Sequence, residues 1–295
     1  MGYMFQAGDI ALVLLLGIGG LVALVYIVER ARTAAFAKSG NRMNTQRGLI
    51  LDRNLEKRKG ERLTAGQRQL LTGTIGLYNW VPKELHPPWE ERILTFIDSF
   101  IFSSMDGRPA TEEMKLLVAA EACLLIIKRP MSDYRHLRRI QLWENEIEGA
   151  EHARGTATID EVNFSWKHLM QTIADARDGH NLVLHEFAHV IDFADDGIAQ
   201  SIPVSPHAPN YEEWKRTVDD EHQRLMSVYE SGKNYAIRAY GGYESVQGDK
   251  PEIFSCATSA FFERGSRLRR ESPQIYSMLK RFYGMDPAIW RKRTD

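Results

Sequence analysis

GHNLVLHEFAHVID, residues 179–192, is the stretch from which the rest of the chain can be read. His185 and His189 stand four positions apart, so on an α-helix they differ by roughly 40° in azimuth and present both imidazoles to one point. Glu186 lies one step round, placed to reach a water held at that point without itself ligating. Val183, Phe187, Val190, Ile191 and Ala194 fall on the opposite arc. The spacing therefore predicts a helix with an apolar back for the core and a histidine-bearing front for a cleft. Asp178-Gly179 supplies a turn ahead of it, Asn181 a suitable cap, and Asp195-Asp196-Gly197 a stop after about Ala194.

Upstream, Val162, Phe164 and Trp166 alternate with Asn163 and Ser165, the period of a strand buried on one face. Helical apolar spacing recurs over 89–102, 111–127, 211–230, 251–263 and 273–283, and Pro82, Pro87 and Pro88 mark an entry loop. Cys123 falls in the most apolar of these runs and reads as a small core residue. The expectation is a mainly helical α+β domain with a small sheet, occupying 71–295.

The amino-terminal end is of another kind. Residues 10–28, IALVLLLGIGGLVALVYIV, are 19 uncharged positions in a row, enough at 1.5 Å per residue to cross a hydrocarbon layer of roughly 30 Å. Arg30, Arg32, Lys38, Arg42 and Arg47 follow at once. By the positive-inside rule these residues predict a single-pass anchor, 1–28, in the cytoplasmic membrane with the remainder facing the cytoplasm. A basic linker, 29–70, would join it to the domain, either drawn to anionic headgroups or solvated.

Composition narrows the chemistry. With 38 Lys and Arg against 39 Asp and Glu the formal net charge of the 295 residues is -1, which excludes the cationic field of a dedicated nucleic-acid binder. Two cysteines, Cys123 and Cys256, are too few for a disulfide scaffold or a four-thiolate site. A metal here must be held mainly by histidine and carboxylate, and two imidazoles in this pattern point to zinc with one position left for water. The third ligand is not adjacent. Asp192 and Asp195 stand where an extended motif would need a glycine and a ligand. Asp192, on the same face as His189, is better suited to orient an imidazole from behind. Glu252, opening the 251–263 run, is the preferred remote ligand, although a carboxylate there also complements a helix dipole. Glu244, Asp249 and Cys256 are its rivals. Among the other histidines, His152, His168, His180 and His222 have no spacing that lifts them above surface or capping roles.

In order, the segments 162–166 and 179–192, Gly197, Pro203, Pro251-Glu252-Ile253-Phe254, Phe261-Phe262, and the tail from Ile275-Tyr276 through Phe282-Tyr283 to Asp286-Pro287 resemble the MtfA (Mlc titration factor A) family of gluzincin-like zinc peptidases. The resemblance implies a zincin-like fold with His185, His189 and Glu252 as zinc ligands and Glu186 as the catalytic base. It implies an assisting tyrosine shortly before the glutamate ligand: Tyr240-Gly241 fits the local motif and Tyr243 the spacing. Seven residues after Glu252 the family often has a second glutamate, whereas this chain has Ser259. A peptide or protein substrate follows from the resemblance, and so does a transcriptional-regulator partner. The alternative is an adaptor that binds such a partner and keeps a structural or vestigial zinc site.

Overall fold

The computed structural model describes residues 43–105, 109–148, 153–194, 197–245 and 248–290. The chain divides into two units, 1–46 and 47–295. Of the first only residues 43–46 are described, and they are helical. The second begins with helical residues 47–57 and continues through ten further helices among the described residues.

Local capping sets where these helices start. Thr64 forms a reciprocal capping box with Gln67 at the head of α1 (Ala65–Thr74), which α2 (Gly76–Trp80) follows. Pro87 and Pro88 occupy the first turn of α3 (His86–Ser99), where their missing N–H groups cost nothing. Thr111 accepts from the Met114 amide at the start of α4 (Glu112–Leu124), a helix buried without interruption from Leu116 to Leu124. Ser165 ends β4 (Glu161–Ser165) and caps α5 (Trp166–Ala174) by accepting from the His168 amide. Trp166 therefore opens a helix instead of closing the strand, a one-residue change from the alternation expected. Later come α6 (Leu182–Asp192), α7 (Tyr211–Glu230), α8 (Glu252–Glu263), α9 (Gly265–Glu271) and α10 (Pro273–Tyr283). Gly284, at φ +65°, ends α10 in the left-handed conformation that glycine adopts without penalty.

The sheet has four strands in the order β1-β2-β4-β3, where β1 is Ile101–Ser104, β2 Arg139–Trp143 and β3 Gly155–Ala157. The first three in that order run parallel, and β3 pairs antiparallel with β4, Gly155 opposite Phe164 and Ala157 opposite Val162. Phe102, expected in a helix, lies in β1. The Phe100 amide still bonds to Phe96, but pairing with β2 then takes over the chain.

Phe187, on the back of α6, joins the sheet to the helices. Its ring centroid lies 5.3 Å from Tyr134, 5.6 Å from Phe96 and 6.3 Å from Phe164. The predicted apolar arc of residues 183–194 is thus the contact that seats α6 on the core, and α8 packs along it.

The anchor and its single-pass location must be corrected. Among the described residues no helix is long and apolar enough to cross a membrane. The longest, α7, carries acidic and basic residues along its 20 positions and packs one face on the core. Residues 10–28, on which that expectation rested, lie outside the described residues, and no membrane location is supported.

Candidate metal centre

Asn181 accepts from the Leu184 amide at 3.0 Å and starts α6 at the residue expected. Its two histidine rings lie 5.0 Å apart. Across from them Glu252, the first residue of α8, brings one carboxylate oxygen, Oε2, to 3.0 Å from His185 Nε2 and 3.3 Å from His189 Nε2. A tetrahedral ion with bonds of about 2.0–2.2 Å holds its donor atoms roughly 3.3–3.5 Å apart, so a spread of a few tenths of an ångström would admit one. The donor set of two imidazoles and a carboxylate, all but buried, fits such an ion.

The two site helices are held in register by a loop residue. Asp192 Oδ2, at the end of α6, accepts from the amides of Gln200 at 2.8 Å and Ser201 at 2.7 Å. Ser201 is held at φ +64°, which costs a residue with a Cβ about 1 kcal/mol. Its hydroxyl donates to the Lys250 carbonyl and accepts from the Phe254 amide at 2.9 Å, capping the first turn of α8 beside Glu252. Ser201→Ala keeps the strain and loses the cap, for an expected loss of about 1 kcal/mol. Ser201→Gly loses the cap but relieves the strain, so it should stay within about 0.5 kcal/mol of the parent. Urea unfolding of both variants measures the difference; equal losses would show that the left-handed backbone at Ser201 carries no strain, and no loss in Ser201→Ala would show that the hydroxyl is not what caps α8.

Glu186 is buried beside this cluster. Burial raises its pKa, against the pull of His185 and His189 and with a smaller push from Glu252. Burial also opposes ionisation of Glu252, yet hydrogen bonds and charge from the two imidazoles hold its carboxyl well below the ordinary range. For His189 burial again works against the charged form, and the Glu252 carboxylate outweighs it. Above Glu186 passes β3. A Cβ on Gly155 would stand 2.8 Å from Glu186 Oε1 and 3.0 Å from a Leu182 methyl, so the strand can come this close only as glycine.

These groups line one cleft of ≈ 550 Å³, which also takes in Tyr240. A larger cavity of ≈ 860 Å³, between Trp80 and Trp290, holds none of them. Tyr240 lies 6.3 Å from the His185 ring, and burial first, then Glu252 and Glu186, push its hydroxyl up to about 12. Tyr243 stacks on the outer face of the site, 6.1 Å from Tyr240 with ring planes 11° apart, and does not line the cleft. Of the rivals to Glu252, Glu244 is engaged with His222 Nε2 at 3.4 Å, and neither it nor Asp249 borders the cleft.

Cys256 is nearer. His185, Glu252 and Cys256 each bring a donor atom within 4.8 Å of one another, and Cys256 Sγ lies 3.9 Å from His185 Nδ1. That is the far side of the ring from Glu252, and burial keeps the thiol protonated, a poor ligand. The side that both Nε2 atoms share with Glu252 is the better seat for an ion. Asp192, expected behind an imidazole, turns Oδ2 to the loop amides at Gln200 and Ser201. Ser259 bonds to the carbonyls of Asn181 and Ser255, both at 3.3 Å, tying α8 to the cap of α6.

Sequence spacing gave no hint of Arg154, Gly155, His180 or Arg238, all of which line the cleft. Each comes from a strand edge or loop, where no periodicity marks a functional face. The position of His180 directly before the helix cap was the one available signal.

The chain matches the model of the glucose-regulated metallo-peptidase M90 family over residues 51–284. It is 26% identical over 236 residues to a Synechocystis protein named Uncharacterized protein slr2042, covering 75% of this chain and 84% of the relative. Mlc titration factor A of Edwardsiella ictaluri is 28% identical over 155 residues, 49% of this chain and 55% of its own length. Mlc titration factor A of Yersinia enterocolitica is 29% identical over 127 residues, 42% and 46% respectively. The match thus spans about half the length of the titration factors.

Proposed function

The chain belongs to the glucose-regulated metallo-peptidase M90 family, and from that premise we propose that it is a zinc-dependent peptidase whose metal is held by His185, His189 and Glu252. The observation that carries this reading is the convergence of both Nε2 atoms on one oxygen of Glu252, from two helices distant in sequence. Bound there, zinc would supply a Lewis acid and lower the pKa of water in the cleft towards about 7.

The protein's own groups divide the remaining work. Glu186, its pKa raised by burial, takes a proton from the attacking water and hands it to the leaving amine. Tyr240, facing the cleft and fully protonated at neutral pH, donates a hydrogen bond to the developing oxyanion; Tyr243 stacks on it and steadies the ring. β4 has no free edge for an extended substrate, since it is flanked by β2 on one side and β3 on the other. The edge beside Glu186 is β3, and an extended peptide laid along it would pass over the carboxylate.

Purified protein should carry close to one zinc per chain and cleave an unbiased peptide library. Chelation should abolish cleavage, and added zinc should restore it. Protein free of metal, or cleavage indifferent to chelator, would defeat the assignment. The other reading is a regulator that sequesters a partner, as the printed name of the titration factors suggests for those proteins. It is favoured by Ser259 in place of the expected glutamate. Partner capture that survives chelation would support it.

A further inference from the structure

Two arginines, Arg154 and Arg238, line the cleft. Arg154 immediately precedes Gly155 on the β3 wall, and Arg238 precedes the turn Ala239–Gly242 that carries Tyr240. Among the described residues neither has a carboxylate partner. Both act electrostatically on the same His180 ring, whose Nε2 is buried in the cleft wall without a hydrogen-bond partner.

The charge balance of the cleft is lopsided as a result. Among the described residues its only carboxylates are Glu186 and Glu252. Against a divalent ion their two charges cancel, so two positive charges remain on a chain whose formal net charge is -1. Among the described lining residues no further acidic group is left over to receive a substrate's amine. A guanidinium presents paired N–H donors at the spacing of a carboxylate's two oxygens; Arg238 is half-buried, which strengthens its contact relative to water, and Arg154 is exposed.

We propose that the cleft selects peptides with a carboxylate close to the scissile bond, clasped by Arg154 and Arg238. This inference rests on the peptidase reading. The carboxylate has two possible sources, an Asp or Glu side chain or a free C-terminus. Being electrostatic, the preference weakens as salt is added.

The test uses the full chain bearing Glu186→Gln, so that binding is read without turnover. The probes are short alanine-based fluorescent peptides with one central Asp, Asn or Lys, each made with a free and an amidated C-terminus. A charged hydrogen bond of this kind gives about a ten-fold preference for Asp over Asn. Preference among amidated peptides identifies a side chain as the source, whereas preference for free over amidated ends identifies the C-terminus. Arg154→Glu and Arg238→Glu, made singly, should each reverse the order towards Lys. Equal binding of all probes, no binding of any, or an order unmoved by both reversals overturns the inference. Selective binding by a protein whose parent cleaves none of these peptides would count against the peptidase reading alone.

Discussion

Glu186→Gln should lower turnover by about 10²–10⁴-fold, the usual contribution of a positioned general base, while zinc content stays at the parent level. The amide keeps the size of the carboxylate, so it still fits beneath Gly155, where a Cβ would already stand 2.8 Å from Oε1. It cannot accept a proton from water. Glu186 also makes no hydrogen bond to the ligand set, so metal should be retained. The loss should fall on kcat more than on KM, because the proton moves only in the transition state. Metal analysis beside steady-state kinetics separates this from a folding defect. Turnover within a few-fold of the parent would remove Glu186 from the base role.

Glu121→Gln should change how stability depends on pH. Glu121 lies wholly buried on α4, and burial pushes its carboxyl up to about 8, against a smaller opposing effect of the Asn181 carboxamide. Glu263, at the far end of α8, is pushed up as well, by burial first and then by Glu121. Between the ordinary value of 4.5 and about 8 the folded protein holds a proton at Glu121 that the unfolded chain has released. Stability from this group is therefore complete below 4.5 and is lost as pH rises through the folded pKa, by up to about 1.4 kcal/mol per pH unit. Glutamine is neutral throughout and removes that slope. Urea unfolding at several values from pH 5 to pH 8 should show the variant gaining on the parent as pH rises. Parallel curves would mean that Glu121 ionises freely in the fold.

The residues that were legible in the sequence are those whose chemistry repeats with the helix. The four-residue spacing of His185 and His189, the Asn181 cap and the apolar arc through Phe187 specify α6 almost to the residue. The 211–230 and 273–283 runs likewise coincide with α7 and α10. Glu252 could be favoured but not fixed, because what brings it to the histidines is tertiary: the docking of α8 and the Ser201 cap, neither of which leaves a periodic trace. The β3 and β1 strands are three and four residues long, too short for alternation to register. Tyr240 and Tyr243 were separable only once the turn Ala239–Gly242 set one against the cleft and the other outside it.

Because Glu252 reaches His185 and His189 only where α8 lies along α6, a half-made polypeptide with α6 alone offers two imidazoles and nothing more. Under the proposed assignment such a bidentate grip loses zinc to ordinary small-molecule competitors, so the ion is captured last, as a seal on a finished tertiary structure. On that assignment hydrolytic power would be withheld from nascent chains, and an injury that loosens the junction of the two helices would silence the protein before unfolding it.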